Sequence, residues 1–300
     1  MLCVSAAIAN REFIVLSGKV TLARLCQASA NRYIMSKNLP TSSLIINTYN
    51  WPAALQLVLK SLIMQRQMPD EVVIADDGSS DETRTLIEKF TLLSPVPVIH
   101  VWQPDDGFRK SEALNKSLAR ASGDYIIHLD GDCIMHPGFV NDHLSMAKQG
   151  LYLFGSRVNI KKSFLGQLIA EQKIRFSPFS RGIYKRGRAL HFPVMSFGGE
   201  LVEGLSVKLR GCNLSHWRAD AIAVNGYNEG MTGWGREDSE FVVRLANLGI
   251  KGRRLRHAAI IYHIYHQERP RDSVSANDAI QQEAIDKKIT RCEIGLEQYL

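Results

Sequence analysis

The sequence predicts an α/β fold in which helices flank a wound, mostly parallel sheet. From residue 42 onward, short apolar runs alternate with amphipathic helical patterns, the order typical of parallel strands joined by right-handed crossovers. Several apolar runs end in Asp, Asn or Gly, as buried strands do where they reach the edge of a sheet. The chain has 300 residues, of which 45% are hydrophobic, and this is enough for a sizeable core.

The first half of this region has the clearest elements. Strand patterns cover residues 44–49, 71–75, 98–103, 125–129 and 151–155, and helical patterns cover residues 53–65, 111–121 and a stretch that begins at Pro137. Ser79 and Glu82 have the spacing of a capping box, which predicts that another helix begins there. Because helices separate these strands, we expect them to run parallel, with their carboxyl ends at one edge of the sheet.

The second half is less regular. Residues 157–188 contain nine Lys or Arg residues and one acid, Glu171. This segment is either a solvated, mobile surface or a grip for an anionic acceptor or lipid head groups. Beyond it we predict a strand at 205–209, a helix at 237–248 that Gly249 ends, a strand at 259–262 and one amphipathic helix over 273–299.

Composition narrows the classes of function. A net charge of +7 indicates an anionic partner, which includes a nucleotide-bearing substrate, a phosphorylated glycan, a membrane surface and nucleic acid. No run of about 20 apolar residues occurs, so we expect no membrane-spanning helix. The five cysteines lack paired spacing, which argues against a structural metal cluster and fits a reducing cytosol.

The most informative stretch is residues 125–133, where a predicted strand ends in Asp130-Gly131-Asp132. In open α/β sheets the ligand lies beyond the carboxyl ends of the strands. Two carboxylates there would repel each other unless a cation lay between them. Mg²⁺ or Mn²⁺ holding a phosphate-bearing substrate needs only one or two such ligands. A solvated turn is the alternative.

Polar residues also follow the first two predicted strands. Asn47, Thr48, Tyr49 and Asn50 end the first strand, and Asp77 lies in the turn after the second. A carboxylate accepts the N3–H of uracil and a tyrosine stacks on its ring, so these residues are candidates for holding a base. Ordinary turn chemistry is the alternative.

Two further groups carry charge or aromatic surface. Arg109 and Lys110 open the third helix, where they suit a diphosphate or are merely exposed. Trp234, beside Gly235, offers an apolar plate for a sugar ring. The remaining candidates are two carboxylates and two histidines. Glu237 and Asp238 lie in the first turn of a helix, where the dipole keeps a carboxylate ionised and able to act as a general base. His266, with His263 as the second choice, would complete a metal site with Asp132.

In this order the motifs resemble those of family 2 glycosyltransferases with the GT-A fold. The resemblance is carried by Asn47-Thr48-Tyr49-Asn50, Asp76-Asp77-Gly78-Ser79 and Leu129-Asp130-Gly131-Asp132. Residues 226–238 and 265–268 are similar to the carboxyl-terminal galactosyltransferase-type module shared by β-1,4-galactosyltransferases and bacterial chondroitin polymerases. Two residues depart from the pattern: Leu114 replaces an expected Arg, and Arg236 replaces a second glycine after Trp234-Gly235.

The resemblance implies a role for each candidate. Asp77 would bind uracil, with Tyr49 stacking, in a site that includes Asn47, Thr48 and Asn50, and Arg109 or Lys110 would hold the phosphates. Asp130 would contact the donor ribose or sugar, and Asp132 and His266 would coordinate Mn²⁺ or Mg²⁺. Trp234, Gly235 and Glu237 would hold the acceptor, and Asp238 would be the base. Polypeptide N-acetylgalactosaminyltransferases, which retain configuration, have Asn where this chain has Asp238, so the resemblance implies inversion and a β-linked product.

The implied domain is a Rossmann-like GT-A unit over residues 41–270. It comprises a nucleotide-binding half at 41–156, a basic variable segment at 157–204 and an acceptor half at 205–270. Residues 1–40 would be an extension, disordered or upstream of a translation start at Met35, and residues 271–300 a C-terminal helix.

The function expected from this resemblance is transfer of one sugar from a UDP-sugar to a glycan or lipid-linked acceptor of anionic character, such as lipopolysaccharide core or capsule. We expect a cytoplasmic protein with possible peripheral contact at the inner face of the cell membrane, and no nucleic-acid partner.

Three other functions remain open on the residues alone. A sugar nucleotidyltransferase shares the wound sheet and the metal-binding carboxylates but should carry a glycine-rich phosphate loop near the first strand. A phosphatase with Asp130 as nucleophile should have Thr after Asp132. A nucleic-acid-binding protein should have a basic stripe with interleaved aromatic residues, whereas the basic cluster here lies in one irregular segment.

Overall fold

The computed structural model of the chain describes residues 39–197, 199–267 and 274–300. The predictions for residues 1–38, including a translation start at Met35, lie outside the described residues, as does the predicted helix start at residue 273. No helix among the described residues has the length and apolar character needed to cross a membrane.

Eleven strands in the described part of the chain form two sheets. They are β1 Ser42–Thr48, β2 Glu71–Asp76, β3 Val98–Trp102, β4 Tyr125–Asp130, β5 Cys133–Met135, β6 Leu151–Phe154, β7 Ser156–Asn159, β8 Leu201–Val202, β9 Asn213–Trp217, β10 Lys251–Arg254 and β11 Ile260–His263. The large sheet has the order β3-β2-β1-β4-β9-β6-β10-β8, and the small sheet has the order β5-β11-β7. Strands β1 to β4 are parallel, which confirms the prediction, whereas β9 is antiparallel to both β4 and β6.

Helices occur throughout the described chain, and several of them pack on the two faces of the large sheet. They are α1 Pro52–Ile63, α2 Asp81–Thr91, α3 Lys110–Arg120, α4 Phe139–Met146, α5 Leu165–Ala170, α6 Val194–Phe197, α7 Arg218–Ala223, α8 Glu237–Asn247 and α9 Val274–Asp286. Alternate residues of β1 face opposite sides of the large sheet. Leu44 and Ile46 pack with α1 and α4, whereas Ile45 packs with α3 and α8. Leu114 is buried on the same face of the sheet as Ile45, so an apolar residue fits at position 114.

Three predicted elements are wrong. Residues 205–209 do not form a strand, and the neighbouring strand is β9 instead. The C-terminal helix is shorter than predicted, since α9 ends at Asp286 and a 3₁₀ turn covers Leu296–Tyr299. Ser79 does not cap α2: Ser80 holds that position, while Ser79 Oγ accepts a hydrogen bond from the Asn50 amide.

The basic segment is built on its own small core. Phe164, Leu168 and Ile183 are buried against the small sheet and α1. This packing contradicts a wholly solvated segment over residues 157–188. Its nine Lys and Arg side chains are nevertheless exposed or half-buried around that core.

Candidate active site

Parallel strands bring the predicted motifs to one edge of the large sheet. β1 lies between β2 and β4, and the register pairs Asn47 with Ala75 on one side and with Asp130 on the other. Gly131 donates its amide to the Asn47 carbonyl at 2.7 Å and thereby fixes the turn that leads to Asp132. The residues that follow these three strands are therefore neighbours.

The small sheet brings two histidines to Asp132. β11 pairs with β5 so that His263 lies opposite Cys133, the residue after Asp132. His266 Nε2 lies 3.3 Å from Asp132 Oδ2, and His263 Nε2 lies 3.6 Å from the same oxygen. Both histidines indicated by the sequence therefore meet the carboxylate, and His263 is placed as favourably as His266.

Cys133 adjoins this group and had no predicted role. Asp132, Cys133 and His263 each place one potential ligand atom within 4.8 Å of the others. The Cys133 thiol donates to Asp132 Oδ1 at 3.3 Å, and burial raises the pKa of this thiol well above its ordinary value. Because a ligating thiol must lose its proton, Cys133 is better suited to orienting Asp132 than to binding a metal.

Lys110 lies at the centre of the other acidic residues. Its buried Nζ atom lies 3.6 Å from Asp130 Oδ1, 3.3 Å from Glu237 Oε1 and 3.6 Å from Asp238 Oδ1. Burial opposes the charged amine, but the charges of these carboxylates hold the pKa of Lys110 well above its ordinary value. Lys110 thus connects the end of β4 to the start of α8, an arrangement that the sequence did not predict.

Asp238 is a carboxyl group that titrates near neutral pH. Burial raises the pKa of Asp238 to about 7; the charge of Lys110 opposes this shift, and Glu237 and Asp130 add to it. Burial therefore opposes the predicted effect of the dipole of α8, which favours the ionised carboxylate. A group with this pKa suits proton abstraction near pH 7.

Gly211 fixes the position of Asp238. The Gly211 backbone forms a hydrogen bond to the Asp238 carboxylate, and a Cβ atom at position 211 would overlap that carboxylate. No sequence pattern indicates a role for this residue, because a lone glycine ahead of a strand carries no signal of what packs against it.

The candidate base-binding residues already have partners within the protein. Asp77 is buried; its Oδ1 accepts from Gln103 Nε2 at 2.7 Å and its Oδ2 accepts from the Arg109 amide at 3.0 Å. Tyr49 donates its hydroxyl to Asp105 at 2.9 Å. Each carboxylate oxygen has two lone pairs, so it can accept more than one hydrogen bond.

The other residues of these loops support the turns around them. Asn50 adopts a φ of +46° and accepts from the Ser80 amide at 2.8 Å. Thr48 is buried, and Asn47 Oδ1 is buried without a hydrogen-bond partner among the described residues. Asn47 Oδ1 therefore has unused hydrogen-bonding capacity at the end of β1.

Arg109 and Lys110 differ in what they face. The Arg109 guanidinium pairs with Glu112 at 3.1 Å and with Asp106 at 3.5 Å, both on its own loop and helix. Lys110 alone of the two reaches the acidic residues at the strand ends. The two basic residues are therefore not equivalent candidates for a phosphate.

One cleft of about 1030 Å³ joins the two groups of candidates. Its lining includes Lys110, Asp130, Trp234, Gly235, Glu237, Asp238, His263 and His266. Trp234 is 37% exposed. The two histidines, the aromatic plate and the carboxyl group with the raised pKa therefore face a common space.

The structure accommodates Arg236 at a position where the family pattern has glycine. It adopts a φ of +77° at the start of α8, a left-handed conformation that favours glycine. Its guanidinium forms an ion pair with Asp278 on α9. The conformation expected of the family's glycine is therefore kept, with a side chain that contacts the C-terminal helix.

The sequence and the fold of the chain are similar to those of known proteins. The family model "Glycosyl transferase family 2" matches residues 43–203, and the model described as "N-terminal domain of galactosyltransferase" matches residues 204–267. Validoxylamine A glucosyltransferase of Streptomyces hygroscopicus subsp. limoneus is 28% identical over 72% of this chain and 50% of its own length. Chondroitin synthase of Escherichia coli is 28% identical over 76% of this chain and 35% of its own length.

The chain therefore spans half the length of these curated relatives or less. Among solved structures, GalNAc-T7 with UDP, GalNAc and Mn²⁺ superposes with a TM-score of 0.55 at 18% identity, covering 78% of this chain and 45% of that one. This likeness concerns the fold. With a family model that covers residues 43–203 and the sheet described above, the chain belongs to glycosyl transferase family 2 and has the GT-A fold.

Proposed function

We propose that the chain transfers one sugar, with inversion of configuration, from a UDP-sugar to a hydroxyl group of a glycan or lipid-linked acceptor. The observation that carries this proposal is the common cleft of Asp238, whose pKa is about 7, and the histidines beside Asp132. The relatives support sugar transfer, one being a glucosyltransferase and another a chondroitin synthase. GalNAc-T7, with UDP and Mn²⁺ bound, supports a nucleotide donor and a divalent metal.

Asp132, His263 and His266 fit a divalent metal. Two ligands at right angles, each about 2.1 Å from an ion, are about 3 Å apart, and the imidazole nitrogens lie 3.3 and 3.6 Å from Asp132 Oδ2. Burial lowers the pKa of His263, which keeps its imidazole neutral as a ligand must be. Imidazole in the set favours Mn²⁺ over Mg²⁺. When bound, the ion would neutralise charge on the donor diphosphate.

The chain's own residues would bind the substrates and move the proton. Asp77 and Tyr49 would hold the uracil, Asp130 the ribose or sugar, and Trp234 and Glu237 the acceptor. The ionised Asp238 would accept the proton of the acceptor hydroxyl as that hydroxyl attacks from the face opposite the diphosphate. Lys110 would favour the ionised form of Asp238, because its charge opposes the effect of burial.

The proposed partners follow from charge. An acceptor that carries phosphates or carboxylates would suit the basic segment over residues 157–188. A lipid-linked acceptor would bring these basic side chains to anionic head groups at the inner face of the cell membrane. In this proposal residues 41–156 bind the donor and residues 205–270 bind the acceptor.

A donor-hydrolysis screen tests the proposal. UDP-glucose, UDP-galactose and their N-acetylated forms are incubated with the chain, with and without Mn²⁺, and released UDP is measured. We expect Mn²⁺-dependent release from at least one donor. No release from any donor, together with no binding of UDP, would contradict the proposal.

Asp238→Asn supplies the mechanistic arm of the same experiment. We expect this variant to fold and to bind UDP, and to lose transfer by about 10²–10⁴-fold. Asp220→Asn is the matched control, because burial also raises the pKa of Asp220 but this residue does not line the cleft. A wild-type kcat in Asp238→Asn would remove Asp238 from the mechanism.

A further inference from the structure

Four arginines from separate elements lie near one another, at the cleft and beside it. Arg157 is in β7, Arg188 is in the 3₁₀ turn Arg186–Ala189, Arg210 precedes Gly211, and Arg254 ends β10. Arg188 Nη1 donates to the Arg157 carbonyl at 3.3 Å, and Arg157 and Arg210 line the cleft that contains Asp238. We refer to these four residues as the arginine cluster.

The arginine cluster has no carboxylate within ion-pair distance among the described residues, and its members repel one another. Burial lowers the pKa of Arg210, and the charges of Arg157 and Arg188 lower it further. Burial likewise lowers the pKa of Arg254, with added repulsion from Arg188 and Arg256. Elsewhere in the described chain, Arg84, Arg109, Arg236, Arg244 and Arg291 each pair with a carboxylate.

Like charges at close range repel one another, and an anion bound among them relieves this repulsion. Guanidinium groups bind phosphate and carboxylate through two parallel hydrogen bonds, which lysine does not match. Arg157 and His263 line the same cleft, which locates one end of the cluster near the metal candidates. The other end of the arginine cluster is Arg210, which lies beside Gly211 and therefore near Asp238.

We propose that Arg157, Arg188 and Arg210 form a subsite for an oxyanion of the acceptor, a phosphate or a carboxylate carried near the hydroxyl group that is glycosylated. This inference rests on the proposed function and adds the residues that would hold the charged group of the acceptor. The subsite adjoins the base, because Arg210 and the glycine that contacts Asp238 are consecutive residues. An acceptor held there would be oriented by its charge as well as by stacking on Trp234.

Binding of matched oligosaccharides tests this inference. The probes are a tetrasaccharide that contains glucuronate, the same tetrasaccharide with its carboxyl groups reduced to alcohols, and a phosphorylated form of the reduced sugar. Calorimetric titration at constant ionic strength should show that the wild-type chain binds at least one charged probe about tenfold or more tighter than the neutral one, since hydrogen bonds to charged groups are worth about 1.5–3 kcal/mol. The tighter of the two charged probes identifies the oxyanion.

The double variant Arg188→Gln/Arg210→Gln should lose most of this preference, whereas the surface variant Arg120→Gln should keep it. Arg188→Lys/Arg210→Lys keeps the charge and should recover only part of the preference, because lysine lacks the paired donors. Thermal melting checks that each variant is folded. Equal binding of charged and neutral probes by the wild type, including no measurable binding of any, overturns the inference, as does an unchanged preference in a folded double variant.

Binding of UDP with Mn²⁺ to the wild-type chain separates this inference from the proposed function. A chain that binds UDP with Mn²⁺ but does not distinguish charged from neutral oligosaccharides lacks the arginine subsite alone. A chain that binds no UDP lacks the proposed function.

Discussion

Gly211 contacts Asp238 so closely that no side chain fits at position 211. A Cβ atom there would overlap the Asp238 carboxylate, while the Gly211 backbone forms a hydrogen bond to that carboxylate. Gly211 immediately precedes the segment that leads into β9, the antiparallel strand beside β4. The sheet therefore sets the position of the group that we propose as the base.

The variant Gly211→Ala should fold and bind UDP but transfer sugar about 10²-fold more slowly, because displacing a reacting group by about 1 Å costs this much. The added methyl meets the end of one side chain, which can move. Gly166→Ala is the matched control, since a Cβ atom at position 166 meets nothing within 4 Å. Near-wild-type kcat in Gly211→Ala would show that the position of Asp238 does not matter.

Asp238 should make the stability of the wild-type chain depend on pH. The pKa of Asp238 is about 7 in the folded chain and 3.8 ordinarily, so the folded state binds the extra proton between these values. Stability conferred by protonated Asp238 is therefore lost as pH rises from about 4 through about 7. Asp238→Asn lacks this loss, and its melting temperature relative to wild type should rise between pH 5 and pH 8. A difference that stays constant or falls over this range would contradict the raised pKa.

The metal candidates predict a graded loss of Mn²⁺ affinity. Asp132→Asn, His263→Asn and His266→Asn should each weaken Mn²⁺ binding in the presence of UDP, since each replaces a carboxylate or imidazole ligand with a neutral amide. His257→Asn is the control, because His257 does not line the cleft. Paramagnetic resonance of free Mn²⁺ measures the affinity. If His263→Asn bound Mn²⁺ as tightly as wild type, the metal site would consist of Asp132 and His266 without His263.

Arg236→Gly should stabilise the chain. A left-handed backbone costs a residue other than glycine about 1–2 kcal/mol, whereas an exposed ion pair contributes about 0.2–1 kcal/mol. The net gain of about 1 kcal/mol should raise the melting temperature by about 2–4 °C. Asp278→Asn removes only the ion pair and serves as the control. A larger loss of stability in Arg236→Gly than in Asp278→Asn would mean that the ion pair outweighs the strain.

Much of the fold was predictable because periodicity and strand ends are local features. Residues 44–49, 71–75 and 125–129 all lie in or overlap parallel strands, and Gly249 ends α8 with a φ of +92°. The antiparallel β9 was not predicted, because its direction depends on which neighbours it pairs with. The apolar run at 205–209 was mistaken for that strand, although its residues line or cover the cleft instead.

The residue types of the candidate site could be predicted from the sequence, but the interactions between their charges could not. The sequence indicated Asp132, His263 and His266, and the pairing of β5 with β11 brings them together. It did not indicate that Lys110 lies among three carboxylates or that burial raises the pKa of Asp238. Two of the three carboxylates, those of Glu237 and Asp238, lie more than 100 positions from Lys110 in the sequence, and no local pattern encodes such contacts.

The configuration of the product tests the central claim most directly. The chain is incubated with Mn²⁺, an acceptor and the UDP-sugar selected by the donor screen, in which the sugar is α-linked, and the anomeric proton of the first product formed is observed by NMR. An attack assisted by Asp238 from the face opposite the diphosphate predicts the β anomer. An α-linked product would contradict the assignment of Asp238 as the base of an inverting transfer.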